Sequence, residues 1–262
     1  MPDLAANAGR LRGKIVLITG GTSGIGRTLA LGMARERADV IPTSRTAGKC
    51  EETVGALRKL GARSLICPVD VTRREEIEDL AFKIVREFGQ IDVLINCAGI
   101  TIRRPAEDLS EKEWDLVIDT NVTGTFLCCQ AVGRWMMQLG TRGSIINIAS
   151  VASFRGLTGV SAYCASKGAV VMLTQALAVE WAGKGIRVNA IAPGWFITPL
   201  NAAMFTEGSA RGEKVLSRTP MARFGNLGEL VEPVVFLASD EASYITGETL
   251  LVDGGFMAAG IS

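Results

Sequence analysis

Lys14-Ile15-Val16-Leu17-Ile18-Thr19-Gly20-Gly21-Thr22-Ser23-Gly24-Ile25-Gly26 is the stretch whose reading decides the fold. Its first half is a short apolar run of strand length, and its second half is a glycine turn that opens a helical pattern reaching about Arg37. A strand that feeds a helix through such a turn sets the unpaired N–H groups of the helix start at the strand end. Gly20 permits the tight turn, while Gly24 and Gly26 let backbone and helix approach a pyrophosphate closely.

Outward from this unit the same alternation repeats. Apolar runs at 40–43, 65–69, 93–96, 144–148, 186–191 and 249–252 alternate with helical patterns at 49–60, 75–88, 111–138, 162–182 and 228–238. With the first run, this predicts seven strands in a doubly wound parallel α/β sheet covered on both faces. The stretch 198–224 breaks the spacing and is too long for an ordinary connection, so it is expected to form a small lid over a substrate. No linker-like composition shift divides the chain, which reads as a single domain over 1–262 with its core at 11–256.

Composition narrows the chemistry. Lys and Arg number 28 against 27 Asp and Glu, which gives no broad electrostatic reason to bind nucleic acid. There is no histidine, so histidine bases, Ser-His-Asp triads and histidine metal sites are excluded. The six cysteines do not recur at metal-ligand spacing and read as small buried hydrophobes in a reducing compartment; no metal site is expected. The N-terminus lacks a signal-like apolar run, and no later apolar run reaches membrane-spanning length without polar interruption. These two features predict a soluble cytoplasmic protein without membrane partners.

Thr19-Gly20-Gly21-Thr22-Ser23-Gly24-Ile25-Gly26 has three residues between its first and later glycines, and it resembles the TGxxxGxG turn of the short-chain dehydrogenases/reductases. The resemblance continues through Asn96-Cys97-Ala98-Gly99, where Cys97 replaces an Asn of the family's NNAG, and through Asn121, Ser150, Tyr163, Lys167 and the closing Val252-Asp253-Gly254-Gly255. It covers about residues 11–256 and implies a Rossmann-type fold that binds a nicotinamide dinucleotide at Gly20, Thr22, Ser23, Gly24, Ile25 and Gly26. Asp70 and Val71, then Asn96, Ala98 and Gly99, and then Pro193, Gly194, Ile197 and Thr198, are its implied further contacts. Asp70 also reads as a cap before the following helix, a role that does not exclude the first. Arg37-Ala38 stands where the family commonly has Gly-Ala, which suggests a different cap on the first helix.

The end of the second strand, Val40-Ile41-Pro42-Thr43-Ser44-Arg45, carries no acid to bind ribose hydroxyls. Ser44 and Arg45 suit a 2′-phosphate, which favours NADP over NAD.

Tyr163 and Lys167 are four residues apart and share a helix face. The Lys167 cation, with the nicotinamide charge, is expected to favour the Tyr163 phenolate and make it the acid/base of alcohol–ketone interconversion. Ser150 is expected to orient the substrate oxygen. In the family the Asn at 121 joins a helix kink and a proton relay to the lysine, although an Asn there also reads as a local backbone-bonding residue.

The segments Ile102–Pro105, Ser153–Gly156 and Arg218–Gly225 resemble the gluconate 5-dehydrogenase and 2-deoxygluconate 3-dehydrogenase branch, implying a small polyhydroxy or sugar-acid substrate. Arg104 and Arg155 are candidates for its carboxylate, or else surface or interface residues; Trp195 is a third candidate for the substrate pocket. Alternatives are a 3-oxoacyl-carrier-protein reductase, a broad carbonyl or steroid-type reductase with Trp195, Phe196, Met204, Phe205 and Met221 in its pocket, and a nucleotide-binding regulatory protein without catalysis. The resemblance also implies a homotetramer, with helices 111–138 and 162–182 and the C-terminal end as its surfaces.

Overall fold

The computed structural model describes residues 9–199, 201–202, 205 and 209–259. Among them, six parallel strands form one sheet: β1 (Ile15–Thr19), β2 (Asp39–Thr43), β3 (Val93–Asn96), β4 (Ser144–Ile148), β5 (Arg187–Pro193) and β6 (Thr249–Val252). Their spatial order is β2-β1-β3-β4-β5-β6. The helices are α1 (Gly24–Arg35), α2 (Ala47–Lys59), α3 (Arg74–Phe88), α4 (Glu111–Ile118), α5 (Gly124–Leu139), α6 (Ser161–Trp181), α7 (Ala210–Ser217) and α8 (Val231–Ala238).

Alternation along each strand sends neighbouring side chains to opposite faces. Val16 and Ile18 of β1 pack with Leu29 and Met33 of α1 and with Val234 and Val235 of α8. Ile15 and Leu17 pack on the other face with Ile77, Leu80 and Ile84 of α3, Val132 and Met136 of α5, and Leu177 and Trp181 of α6. Ile95 goes to the first layer and Leu94 to the second, each fully buried and worth roughly 1.5–3 kcal/mol of burial. Strands buried on both faces explain why their sequences are continuous apolar runs rather than alternating ones.

The segment expected as a further strand, 65–69, runs beside β2 without closing a ladder. Backbone bonds join Val40 N–H to Arg63 O and Val69 N–H to Ser44 O, at 3.1 and 3.0 Å. Between them the Ser64 and Thr43 hydroxyls donate to the Val40 and Cys67 carbonyls. The reason is Pro42, on the same edge as Val40, which has no N–H to give.

The helix expected over 111–138 is interrupted. α4, N-capped by a Ser110–Glu113 capping box, runs into a π-helical turn at Asp119–Thr123, and α5 then continues to Gly140. At the first helix exit the backbone turns left-handed at Arg37, φ +69°, with Arg37 N–H bonding Ala34 O and Ala38 N–H bonding Met33 O. An arginine thus carries a conformation that suits glycine, at a cost of about 1–2 kcal/mol.

Ser161–Lys184 is long and apolar enough to cross a membrane by length and composition, but Lys167 and Glu180 interrupt it, as the sequence reading required, and it packs against the sheet with Lys167 buried. Of the expected lid, the described residues include α7 and the beginnings of an aromatic cluster. Phe205 stacks edge-on to Trp195 at 5.6 Å and tilted on Phe224 at 5.1 Å, and Phe256 meets Trp195 from another side at 5.9 Å. Met204 lies outside the described residues.

Candidate active site

Strand order reverses between β1 and β3, so the connections from these two strands leave in opposite directions and open a crevice at their C-terminal ends. A cleft of about 410 Å³ occupies that place. One wall is Gly20 and Ser23 to Gly26, the opposite wall is Cys97 to Gly99, and Ile148 to Ser150, Tyr163 and Lys167 form the floor. Pro193, Gly194, Phe196, Thr198, Pro199 and Asn201 close it above.

The glycine wall is shaped by sterics. Gly20 has φ +64°, and a Cβ on it would lie 2.8 Å from the Ala98 backbone; a Cβ on Gly26 would strike the Gly20 carbonyl. Thr19 Oγ1 accepts from the Cys97 and Ala98 N–H groups at 3.2 and 3.3 Å, which ties the two walls together. The Ser23 side chain does not cap α1, and no acidic residue stands in its first turn. The cradle thus presents amides without a side-chain cap at a positive helix end, which fits the pyrophosphate of a dinucleotide.

Several residues singled out in the sequence stand outside this lining. Thr22 is buried behind the turn. Ser44 follows β2, its hydroxyl 3.6 Å from Cys50 Sγ, with Arg45 exposed beside it. Asp70 accepts from Thr72 N–H and Oγ1–H at 3.0 and 2.8 Å, a local turn ahead of α3 rather than its cap, since the N-cap is Arg73 and carries no side-chain bond; Val71 is buried against Gly124. Asn96 is turned into the sheet, where its Nδ2 donates to Asn147 Oδ1 at 2.9 Å; its own Oδ1 has no partner among the described residues. Ile197 is exposed.

Asn121 sits in the π turn and is 1% exposed. Its Oδ1 accepts from Ile100 N–H at 2.8 Å, and its Nδ2 donates to Ile100 O and to Ser166 Oγ, both at 2.9 Å. Ser166 in turn donates to Tyr163 O at 2.8 Å. The extra residue of the π turn thus aims an amide that joins the wall after β3 to the helix carrying Tyr163. Ser150 Oγ accepts from Ala152 N–H at 3.1 Å.

The electrostatics differ from the sequence expectation. Burial pushes the Tyr163 pKa up, with the Ser150 hydroxyl pulling it partly back. Lys167 does not offset that burial: its Nζ is 5.7 Å from the Tyr163 ring centre and donates to the Ile148 carbonyl at 2.6 Å. Burial lowers Lys167 itself to about 8. Without the nicotinamide charge, Tyr163 is therefore a protonated phenol at neutral pH, ready to donate.

Phe196, expected in a pocket only under the carbonyl-reductase alternative, lines the cleft, as do Cys97, Ile148, Ala149, Pro199 and Asn201, which the sequence pattern did not mark. Ile148 and Ala149 were accessible to the rule that open parallel sheets bind ligands at strand C-termini. Asn201 accepts Thr198 N–H and donates to Phe196 O, each at 2.8 Å, and so shapes the loop over the cleft. The Cys97 thiol, pushed up to about 11 by burial, remains protonated.

Of the substrate candidates, Arg104 is exposed and places Nε and Nη2 each 2.9 Å from Glu113 Oε1. Arg155 is exposed on the turn after Ser150. Trp195 borders a neighbouring cavity of about 350 Å³ with Met221 and Leu251, its Nε1 unpartnered among the described residues.

A family model described as enoyl-(acyl carrier protein) reductase matches residues 20–257. The chain is 40% identical to 2-dehydro-3-deoxy-D-gluconate 5-dehydrogenase of Dickeya dadantii over 96% of this chain and 98% of that one. It is also 40% identical to a 3-oxoacyl-(acyl-carrier-protein) reductase of Thermotoga maritima, over 95% and 99%. The crystal structure of a gluconate 5-dehydrogenase from Burkholderia cenocepacia in complex with NADP and tartrate is similar at TM-score 0.92 and 36% identity, over 97% of this chain and 99% of that one.

Proposed function

The chain belongs to the short-chain dehydrogenase/reductase family and is an NAD(P)-dependent oxidoreductase, and on that premise we propose that it interconverts a secondary alcohol and a ketone on a small sugar acid. The observation that carries this reading is the single cleft floor on which Ser150, Tyr163 and Lys167 meet beside the glycine turn. When bound, the nicotinamide supplies or accepts the hydride. Ser150 hydrogen-bonds the substrate oxygen, and Tyr163 gives that oxygen a proton in reduction and takes it back in oxidation. Lys167 would hold the nicotinamide ribose and Thr198 with the Pro193-Gly194 backbone would hold the carboxamide, all four lining the cleft, while Asn121 bonds Ser166 and so fixes the helix turn behind Lys167.

The sugar-acid reading is supported by the names of the Dickeya and Burkholderia relatives. The Thermotoga relative, at equal identity, supports the rival reading of an acyl-thioester reductase. A panel of gluconate, 5-ketogluconate and 3-oxoacyl thioesters, assayed with both nicotinamides, separates them; turnover confined to the thioesters would overturn the first. Tyr163→Phe is expected to lower turnover by about 10²–10⁴ with cofactor binding intact, and full activity in that variant would remove Tyr163 from its role.

NADP is the preferred cofactor in this reading. No acid stands at Ser44-Arg45, and Asp39, at the opposite end of β2, is engaged with Arg63, whose N–H it accepts at 2.8 Å. Ser44→Asp is expected to raise the NAD/NADP ratio of kcat/KM by repelling the 2′-phosphate; an unchanged ratio would place selectivity elsewhere. We further read the protein as a one-domain cytoplasmic homotetramer. Exposed apolar residues on the expected surfaces support this assembly: Phe126 on α5, Met172 and Val179 on α6 and Leu251 on β6. A monomeric mass in solution would refute it.

A further inference from the structure

Lys167 is not the only polar tie between α6 and the strand that leads to Ser150. Seven residues further along the helix, two turns at about 3.6 residues each, Thr174 lies on the same face. Its Oγ1 accepts from Asn147 Nδ2 at 2.9 Å, and Lys167 Nζ donates to the carbonyl of the next residue, Ile148, at 2.6 Å. Neighbouring residues of β4 are thus each bonded to α6, and Ala149 and Ser150 follow them directly onto the cleft floor.

The Thr174 tie belongs to a buried chain of hydrogen bonds that all run one way. Asn96 Nδ2, at the end of β3, donates to Asn147 Oδ1 at 2.9 Å; Asn147 donates to Thr174, and Thr174 donates to the Val170 carbonyl at 2.8 Å. Asn147 and Thr174 are fully buried and Asn96 nearly so. In such a place each bond strengthens the next, and a side chain that turned away would leave a donor with no water to replace its partner. Asn96 keeps this arrangement although its own Oδ1 has no partner among the described residues. The apolar contact beside the chain has no such direction. There Val170 and Val171 meet Ala149, Ala190 and Ala192, small side chains that give burial without fixing a register.

We propose that Thr174 is a positioning residue for the reaction: its bond to Asn147 fixes α6 against the end of β4 and so sets Tyr163 and Lys167 in register with Ser150. The inference rests on the assignment of those three residues to the reaction, and extends it to a group that stands outside the cleft lining and touches none of the reacting atoms. Alignment of the reacting groups is worth rate rather than binding, so the loss of this tie acts on turnover.

The test compares Thr174→Val, which keeps the shape and removes the hydroxyl, with Thr174→Ser, which restores it, and with Thr53→Val. Thr53 of α2 is equally buried and, like Thr174, bonds the carbonyl four residues back, Lys49 O at 2.9 Å, but its hydroxyl ties to no other element among the described residues. Steady-state reduction of 5-ketogluconate and of a 3-oxoacyl thioester is measured for each with NADPH and NADH, alongside urea unfolding. On whichever substrate the wild type reduces, Thr174→Val should lower kcat at least tenfold with KM within threefold, and Thr174→Ser should return kcat to within threefold of the wild type. Thr53→Val should lose stability with kcat unchanged. A Thr174→Val enzyme with kcat within threefold of the wild type overturns the proposal. So does a loss that Thr174→Ser shares in full, since packing rather than the hydroxyl is then responsible. Tyr163→Phe in the same series keeps the failures apart: full activity there removes the reaction-centre reading, whereas an inactive Tyr163→Phe beside an unaffected Thr174→Val removes the Thr174 role alone.

Discussion

Replacing Lys167 with Met tests how much the fold gives up to keep an ammonium on the cleft floor. Lys167 is 6% exposed and its pKa falls from 10.5 to about 8 on burial, so the folded chain holds this proton less tightly than the unfolded chain. At about 1.36 kcal/mol for each tenfold in proton affinity, the difference corresponds to about 3 kcal/mol. Below pH 8 both states are protonated and the penalty is constant. Between pH 8 and 10.5 only the unfolded chain takes up the proton, so the wild type gains stability as pH rises through this window. The Met variant has no such group, and every other titration is shared.

At pH 7 the variant sheds the charge penalty of about 3 kcal/mol but leaves the Ile148 carbonyl, now bonded by Nζ at 2.6 Å, without its donor, a loss of about 1–3 kcal/mol. The two should therefore differ little there. By pH 10 the wild type should have gained about 2–3 kcal/mol on the variant. Urea unfolding of both proteins at steps from pH 7 to 10, followed by tryptophan fluorescence, measures the difference directly. A difference flat to within about 0.5 kcal/mol across that range would show that Lys167 titrates alike folded and unfolded, and would refute the account of the cleft floor as a desolvated site.

With Tyr163 raised by burial, its donor form persists above neutral pH, so ketone reduction should hold its rate from pH 6 to 8 while alcohol oxidation climbs with pH; parallel profiles would count against the phenol. Gly26→Ala sets a methyl against the Gly20 carbonyl and should weaken NADPH binding at least tenfold in a fluorescence titration while leaving the far-ultraviolet spectrum native. Ser166→Ala removes the acceptor of one Asn121 amide hydrogen, costing about 1–3 kcal/mol, and should lower kcat more than it raises KM. Ser110→Ala breaks the capping box of α4 and should cost about 1 kcal/mol in chemical denaturation with kcat unchanged.

Where apolar runs are bounded by turn residues, the sequence was read closely: 93–96, 144–148 and 249–252 are β3, β4 and β6 to the residue. The run at 65–69 looked equally like a strand, but its pairing depends on a missing N–H in β2, which no property of the run itself records. Similarly, the 3.6-residue period from Glu111 to Leu139 is intact on either side of the π turn, so the inserted residue leaves no gap in the pattern. Glycine spacing and the i, i+4 pair of Tyr163 and Lys167 located the cleft because both are local. Which way Asn96 turns is settled by its contact with Asn147 on a distant strand, which no local pattern records.

The π turn at Asp119–Thr123 means that the chain carries one residue more here than an uninterrupted α-helix would use. Deleting a single residue from this turn would let α4 and α5 merge into one continuous rod, a locally more comfortable state. It would also swing every side chain on one flank of the cut by about 100° around the helix axis, taking Asn121 away from Ile100 and Ser166. The helix is thus one deletion from a better-formed but inert version of itself, and the fold tolerates the irregular turn because the cleft is built around it.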